Sequence, residues 1–177
     1  MRIVVLMKPV PDPASMGERL GPDGRLDRAA VPAVVNGNDE YALEAALKLV
    51  EAHGGEVTLL SMAPATAPET IRKALAMGAT SGTLVTDPGL GGSCAVSTAM
   101  VLAAALATLE FDLVLAGVDT SDGVAGVVGP AVAAKAGLPL LSYAARIEPD
   151  EASRPRSARE RVEISLDRAP MIPLSDG

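Results

Sequence analysis

The chain has no tryptophan, one phenylalanine, two tyrosines, one histidine and one cysteine among 177 residues. Each scarcity closes a class of function. One cysteine forbids an intramolecular disulfide and fits a reducing compartment. One histidine and one cysteine cannot furnish a zinc site, and no convincing Ser–His–Asp arrangement can be built around His53. Aromatic residues make up only 2%, so the core must be built from Val, Leu, Ile, Ala and Met, as in a sheet covered by helices on both faces. Positive charge is also short. Fifteen Lys and Arg against 22 Asp and Glu give a net charge of −7, which argues against a nucleic-acid backbone as partner. The longest apolar run, Ala95 to Leu109, contains Ser97, Thr98 and Thr108 and is shorter than a membrane span. The opening run to Pro9 is too short for a secretory signal and has no cleavage site. These features predict a soluble, cytoplasmic protein without membrane insertion.

Hydrophobic residues reach 49% and fall into alternating strand and helix patterns. Residues 2–7, Glu56–Met62, Ser81–Thr86 and Asp112–Gly117 read as buried strands. Pro139–Tyr143 reads as the start of a fifth. Prolines 9, 11 and 13 forbid regular structure after the first strand, and residues 25–35 suit a short extended ribbon. A helix follows Asn36, with Asn38 or Asp39 as its cap and Leu43, Ala46, Leu47 and Val50 on one face. His53 and Gly54 end it. Thr66–Met77, a segment of about 15 residues capped by Ser93, and Gly123–Ala136 complete the helices. Short connections between alternating strands and helices predict an α/β fold with a doubly wound, mainly parallel sheet and helices on both faces. The pattern covers residues 1–147. Residues 148–177 read as a charged linker or tail, with Val162, Ile164 and Leu166 alternating as one edge strand.

In such a sheet, ligands bind where the winding direction reverses, beyond the carboxyl ends of the strands. The residues expected there are Leu6 to Lys8, Ser61 to Ala63 and Gly117 to Gly129. The spacing Asp122-Gly-x-x-Gly-x-x-Gly129 lets backbone amides approach an anion at a helix start. A second reading stays open: Gly126, Gly129, Ala133 and Gly137 lie about one helical turn apart and also suit close packing on a strand. Lys8 suits either a phosphate or solvent. Cys94 stands in a helix first turn without a histidine or second thiol, and Asp119 and Asp122 suit loop capping. No catalytic acid, base, nucleophile or metal site emerges. The best signal in the residues themselves is for binding, at Asp122 to Gly129.

Asn36-Gly-Asn-Asp-Glu-Tyr-Ala-Leu-Glu-Ala-Ala resembles the Asn-Pro-x-Asp-Glu-x-Ala-x-Glu-x-Ala segment of electron-transfer flavoprotein β subunits. Glu69-Thr-Ile-Arg-Lys-Ala-Leu-Ala-Met-Gly-Ala79 is similar to that family's signature helix. Lys8-Pro-Val-Pro-Asp12, Asp112-Leu-Val-Leu-Ala-Gly117, Asp122-Gly123 and Gly129-Pro130 fit as well. The resemblance implies a Rossmann-like domain of the adenine-nucleotide hydrolase type, working as a heterodimer with an electron-transfer flavoprotein α subunit. FAD would be shared with that α subunit, and AMP or a second FAD would occupy this chain's own cleft. Electrons would come from dehydrogenases, with the acyl-CoA type among the candidates.

Carried over by position, the nucleotide contacts would be Leu6, Asn36, Gly37, Asn38, Asp39, Met62, Gly117, Val118, Asp119, Asp122, Gly123, Gly126, Val127, Val128 and Gly129. Leu6 and Met62 would wall the adenine, Asn36 would hydrogen-bond it, and the backbone from Gly123 to Gly129 would hold phosphate. Three departures stand out. Val118-Asp119 replaces the usual Lys-Gln, Val124-Ala-Gly-Val127 replaces a polar run, and Gly37 replaces proline. The family's later docking segment and C-terminal arm are not recognisable after Tyr143, which describes a short or C-terminally diverged member. The alternatives are a stand-alone adenine-nucleotide module of the universal-stress-protein type and a degenerate relative with an empty cleft.

Overall fold

The structure, a computed structural model, describes residues 1–28 and 30–148. Contacts divide the chain into two compact units, Met1–Leu140 and Leu141–Gly177. The expected edge strand at Val162–Leu166 lies outside the described residues, as does most of the segment expected as a tail.

The first unit begins with β1 (Arg2–Leu6), β2 (Pro9–Pro11), β3 (Ala33–Val35) and α1 (Gly37–His53). It continues with β4 (Glu56–Met62), α2 (Pro68–Ala76), β5 (Ser81–Val85), α3 (Ala95–Leu106), β6 (Leu113–Ala116) and α4 (Val128–Ala136). Four strands form a parallel sheet in the order β5-β4-β1-β6. Strand β1 is therefore central, with Leu6 level with Leu60 on one side and Ala116 on the other. The chain winds outward through β4 and β5, then returns across β1 to place β6. The winding reverses between β1 and β6, which puts the crevice at their carboxyl ends.

Strand periodicity divides the core between the two faces. Val4, Leu6 and Leu60 pack with Ala99, Leu102 and Leu106 of α3 and Val132 of α4. Ile3, Val5, Val57 and Leu59 point to the other face by alternation, and all are buried. There α1 presents Leu43, Ala46 and Leu49, and α2 presents Ile71 and Ala74. The buried stripe of α1 thus includes Asp39 and Leu49, whereas Leu47 and Val50 flank it and are only partly covered. Each fully buried aliphatic side chain contributes about 1.5–3 kcal/mol. At the opposite end of the sheet, Asp112 fastens β6 to β1. Its side chain accepts the Arg2 N–H at 2.7 Å, and its own N–H donates to the Arg2 carbonyl at 2.8 Å.

Several expectations require correction. The prolines do not exclude pairing: β2 and β3 form an antiparallel ribbon with Val10 opposite Val34. Lys8 accepts from the Asn36 N–H, and the Asp12 N–H donates to Pro32. Pro9 and Pro11 therefore fall on the intervening positions, where no ladder donor is needed. Neither Asn38 nor Asp39 caps α1. The N-cap is Asn36, without a side-chain cap bond. Cys94, not Ser93, precedes α3. Residues 139–143 form no strand: Gly137 ends α4 in the left-handed conformation, Pro139 lacks a donor, and Tyr143 has φ 57°.

Candidate functional site

Residues at the crevice come from four places. β1 supplies Leu6 and then Lys8, and β4 supplies Met62. The start of α1 supplies Asn36 to Asp39, and the loop from Gly117 to Val127 leads into α4.

Asp39 is the joint between three of these elements. As the third residue of α1 it turns its carboxylate inward, under the ends of β1 and β6. It accepts the Lys8 N–H at 2.8 Å and the Gly117 N–H. The space a side chain at Gly117 would need is held by the Asp39 carboxylate and the Asn38 backbone. Only glycine lets the two approach. Burial pushes the Asp39 carboxyl up to about 6, against the downward pull of the Lys8 and Gly117 amides, the Asn36 side chain and the Lys8 charge.

Asn36 and Asn38 fix the next residues of the loop. The Asn36 side chain donates to the Asp119 carbonyl at 2.8 Å and accepts the Ser121 N–H at 3.2 Å. Asn38 donates to the Asp119 carboxylate at 2.6 Å. Asn36 is 1% exposed, so its amide is committed to the protein. The expected hydrogen bond from Asn36 to an adenine is replaced by a brace on the 119–121 turn. Gly37 sits beside it, exposed, at the first position of α1.

Asp122 carries the opposite electrostatics. Its side chain is buried, with Lys8 Nζ at 2.8 Å and the Arg28 guanidinium at 2.5 Å. Burial alone would raise its carboxyl, but Lys8, the Thr120 hydroxyl and Arg28 outweigh burial and hold it at about 2. Arg28 is a site residue that sequence patterns missed. It lies in the long β2–β3 connection, with no motif to mark it.

Leu6 and Met62 converge with Val128 in the cluster on the α3 side. That forms an apolar wall beside the loop. Val118, Val124 and Val127 are exposed and do not plug the mouth. The backbone donors are fewer than expected. The Gly123 and Val124 N–H groups both donate to the Thr120 carbonyl, so the expected helix from Gly123 is a turn and α4 starts at Val128. Gly123 is thereby removed from the anticipated phosphate donors. Among the described residues, no acceptor takes the N–H groups of Gly126, Val127, Val128 or Gly129.

Val124 adopts φ 43°, a left-handed conformation that costs a β-branched residue about 1–2 kcal/mol. Val124→Gly is therefore expected to stabilise the protein by about 1 kcal/mol, read as a higher urea midpoint at unchanged m. A lower midpoint would show that the valine side chain, not the backbone, sets this turn.

Other candidates do not join the site. Cys94 is exposed at the start of α3. The hydroxyl of Ser97 and the Ser97 and Val96 amides lower its thiol from the ordinary value. His53 ends α1. A concavity of about 450 Å³ between α3 and α4 near Phe111 lies at the opposite end of β6. Among the described residues, no three His, Cys, Asp or Glu side chains are grouped to hold a metal, and no helix is long and apolar enough to cross a membrane.

The profile of the family described as electron transfer flavoprotein domain matches residues 23–173. The chain belongs to the electron transfer flavoprotein family. It is 40% identical over 151 residues to an electron transfer flavoprotein subunit beta of Clostridium acetobutylicum, covering 85% of this chain and 58% of that protein. It is 42% identical over 153 residues to a protein FixA of Azorhizobium caulinodans, covering 83% and 54%. It is 35% identical over 175 residues to a subunit beta of Thermoanaerobacterium thermosaccharolyticum, covering 97% and 66%. The chain thus spans between about half and two thirds of the length of these relatives. Within the family, the likeness is to β-type subunits. This favours the electron-transfer reading over a stand-alone nucleotide module.

Proposed function

We propose that the chain is the nucleotide-binding part of an electron-transfer flavoprotein β-type subunit. Residues 1–147 make up the nucleotide-binding domain. The subunit carries electrons from dehydrogenases in a complex with an FAD-binding α subunit, as a carrier without acid–base chemistry of its own. AMP, or a second FAD, occupies its own cleft. The observation that carries this reading is the run of N–H groups from Gly126 to Gly129 that no described residue accepts, at the point where the sheet's winding reverses and beside the apolar cluster of Leu6, Met62 and Val128. An adenylate needs that combination: an apolar slot for a flat base and preorganised donors for a phosphate. The missing polar side chains at Val124 and Val127 leave phosphate recognition to the main chain, the start of α4 and nearby cations.

Thermal and urea unfolding with AMP, ADP, ATP and FAD test the cleft. A ligand at 100 times its Kd adds about 2.7 kcal/mol of stability. AMP is expected to give a shift of that size at saturating concentration. A chain that none of the four stabilises would overturn the nucleotide assignment. Co-purification with its α-type partner, read as a yellow complex with a flavin spectrum, tests the carrier assignment separately.

A further inference from the structure

The connection between β2 and β3 is long, yet it is built rather than loose. Leu20 bridges Leu26 in antiparallel fashion. The Gly21 N–H donates to Arg25 at 2.7 Å, and the Asp27 N–H donates to Arg19 at 2.9 Å. Arg19 Nε lies 3.1 Å from the Asp27 carboxylate. This small hairpin has two attachments to the rest of the fold. The Arg25 guanidinium occupies the space a side chain on Gly92 would need, in the loop after β5. Arg28 pairs with the buried Asp122 at 2.5 Å, in the loop after β6. Strands β5 and β6 are the two outer strands of the parallel sheet. A segment that touches both of these loops runs between the carboxyl-end connections of the two outer strands.

We propose that residues 12–28 form a strap across the mouth of the crevice, latched by Arg28 on Asp122. The base of the strap is fixed by the β2–β3 ribbon, where the Asp12 N–H donates to Pro32 at 2.9 Å. Arg28 is the fitting latch for two reasons. Its guanidinium is half-exposed and can leave, while the carboxylate it grips is buried and held in place by Lys8. Asp122 keeps a partner when the latch opens, so opening leaves no isolated buried charge. The strap's role in nucleotide access rests on the proposed function; the latch itself does not.

Limited trypsin digestion with mass-spectrometric readout tests the latch on the purified chain. Arg19 and Arg25 lie in the strap, and Arg146, exposed and outside it, serves as an internal control. Cleavage that follows the open population reports the latch directly. Arg28→Ala is expected to speed cleavage at Arg19 and Arg25 about tenfold, the effect of losing one charge-assisted contact, with Arg146 unchanged. Arg28→Lys should fall between wild type and Arg28→Ala. Equal strap cleavage in wild type and Arg28→Ala would overturn the proposal. The same digestion with AMP, ADP or FAD separates the two readings. If wild type is protected by nucleotide and Arg28→Ala is protected less, both stand. If the strap responds to Arg28→Ala but no nucleotide protects it, the latch stands and the nucleotide assignment falls.

Discussion

Gly117→Val is expected to cost at least about 3 kcal/mol and to unfasten the loop that leads into α4. Two effects add. The new side chain must enter space already held by the Asp39 carboxylate and the Asn38 backbone, and forced overpacking of this kind costs about 1–3 kcal/mol. Moving the carboxylate away then strands the Lys8 and Gly117 N–H groups that it accepts. Each buried donor left unpaired costs about 1–3 kcal/mol more. Urea unfolding followed by far-ultraviolet dichroism measures the loss. Gly129→Ala makes a useful contrast, because a side chain there meets only Ala116 at 3.6 Å, an ordinary contact. A Gly117→Val protein within about 0.5 kcal/mol of wild type would show that the Asp39 joint does not bear on stability.

The order of the elements was legible because each rests on a local signal. Strands β1 and β6 are continuous apolar runs from Ile3 and Leu113, β4 is mostly apolar, and α1, α2 and α4 each close on a glycine, Gly54, Gly78 and Gly137. Local signals could not assign the roles of polar side chains that act across the fold. Asn36 reads as a turn residue or as a ligand-binding amide. In the fold its side chain braces a turn, because Asp119 and Ser121 come from the loop after β6, far along the chain, and take up both of its ends. Asp39 reads as a helix cap, yet it turns inward, because two strand ends bring N–H groups to it. Pro9 and Pro11 read as breakers, because the register that makes them harmless depends on a partner strand more than twenty residues away. Arg28 could not be found at all without the buried carboxylate it meets.

Asp39 also predicts an unusual pH profile. Its carboxyl is raised to about 6 in the folded chain against an ordinary 3.8, so between those values the folded state holds the proton more firmly than the unfolded state. The contribution of this group is therefore favourable below pH 4 and declines as pH rises through 6. The decline reaches about 3 kcal/mol, two pK units at 1.36 kcal/mol each. Asp122 acts in the opposite sense. Held at about 2, it stabilises the fold above pH 4, and that stability is lost as pH falls toward 2. Urea unfolding of wild type and Asp39→Asn from pH 4.5 to 7.5 isolates the first effect, because the other carboxylates titrate alike in both proteins. The amide mimics the protonated acid, so the wild type should lose roughly 2 kcal/mol more than the variant across that range, the part of the decline that lies above pH 4.5. Parallel profiles would mean that Asp39 titrates as an ordinary surface carboxylate. An ionised carboxylate buried at neutral pH is a steady cost to the fold. It is offset by what the charge does there, drawing the amides of Lys8 and Gly117 to one point. That holds the ends of β1 and β6 together on either side of the crevice.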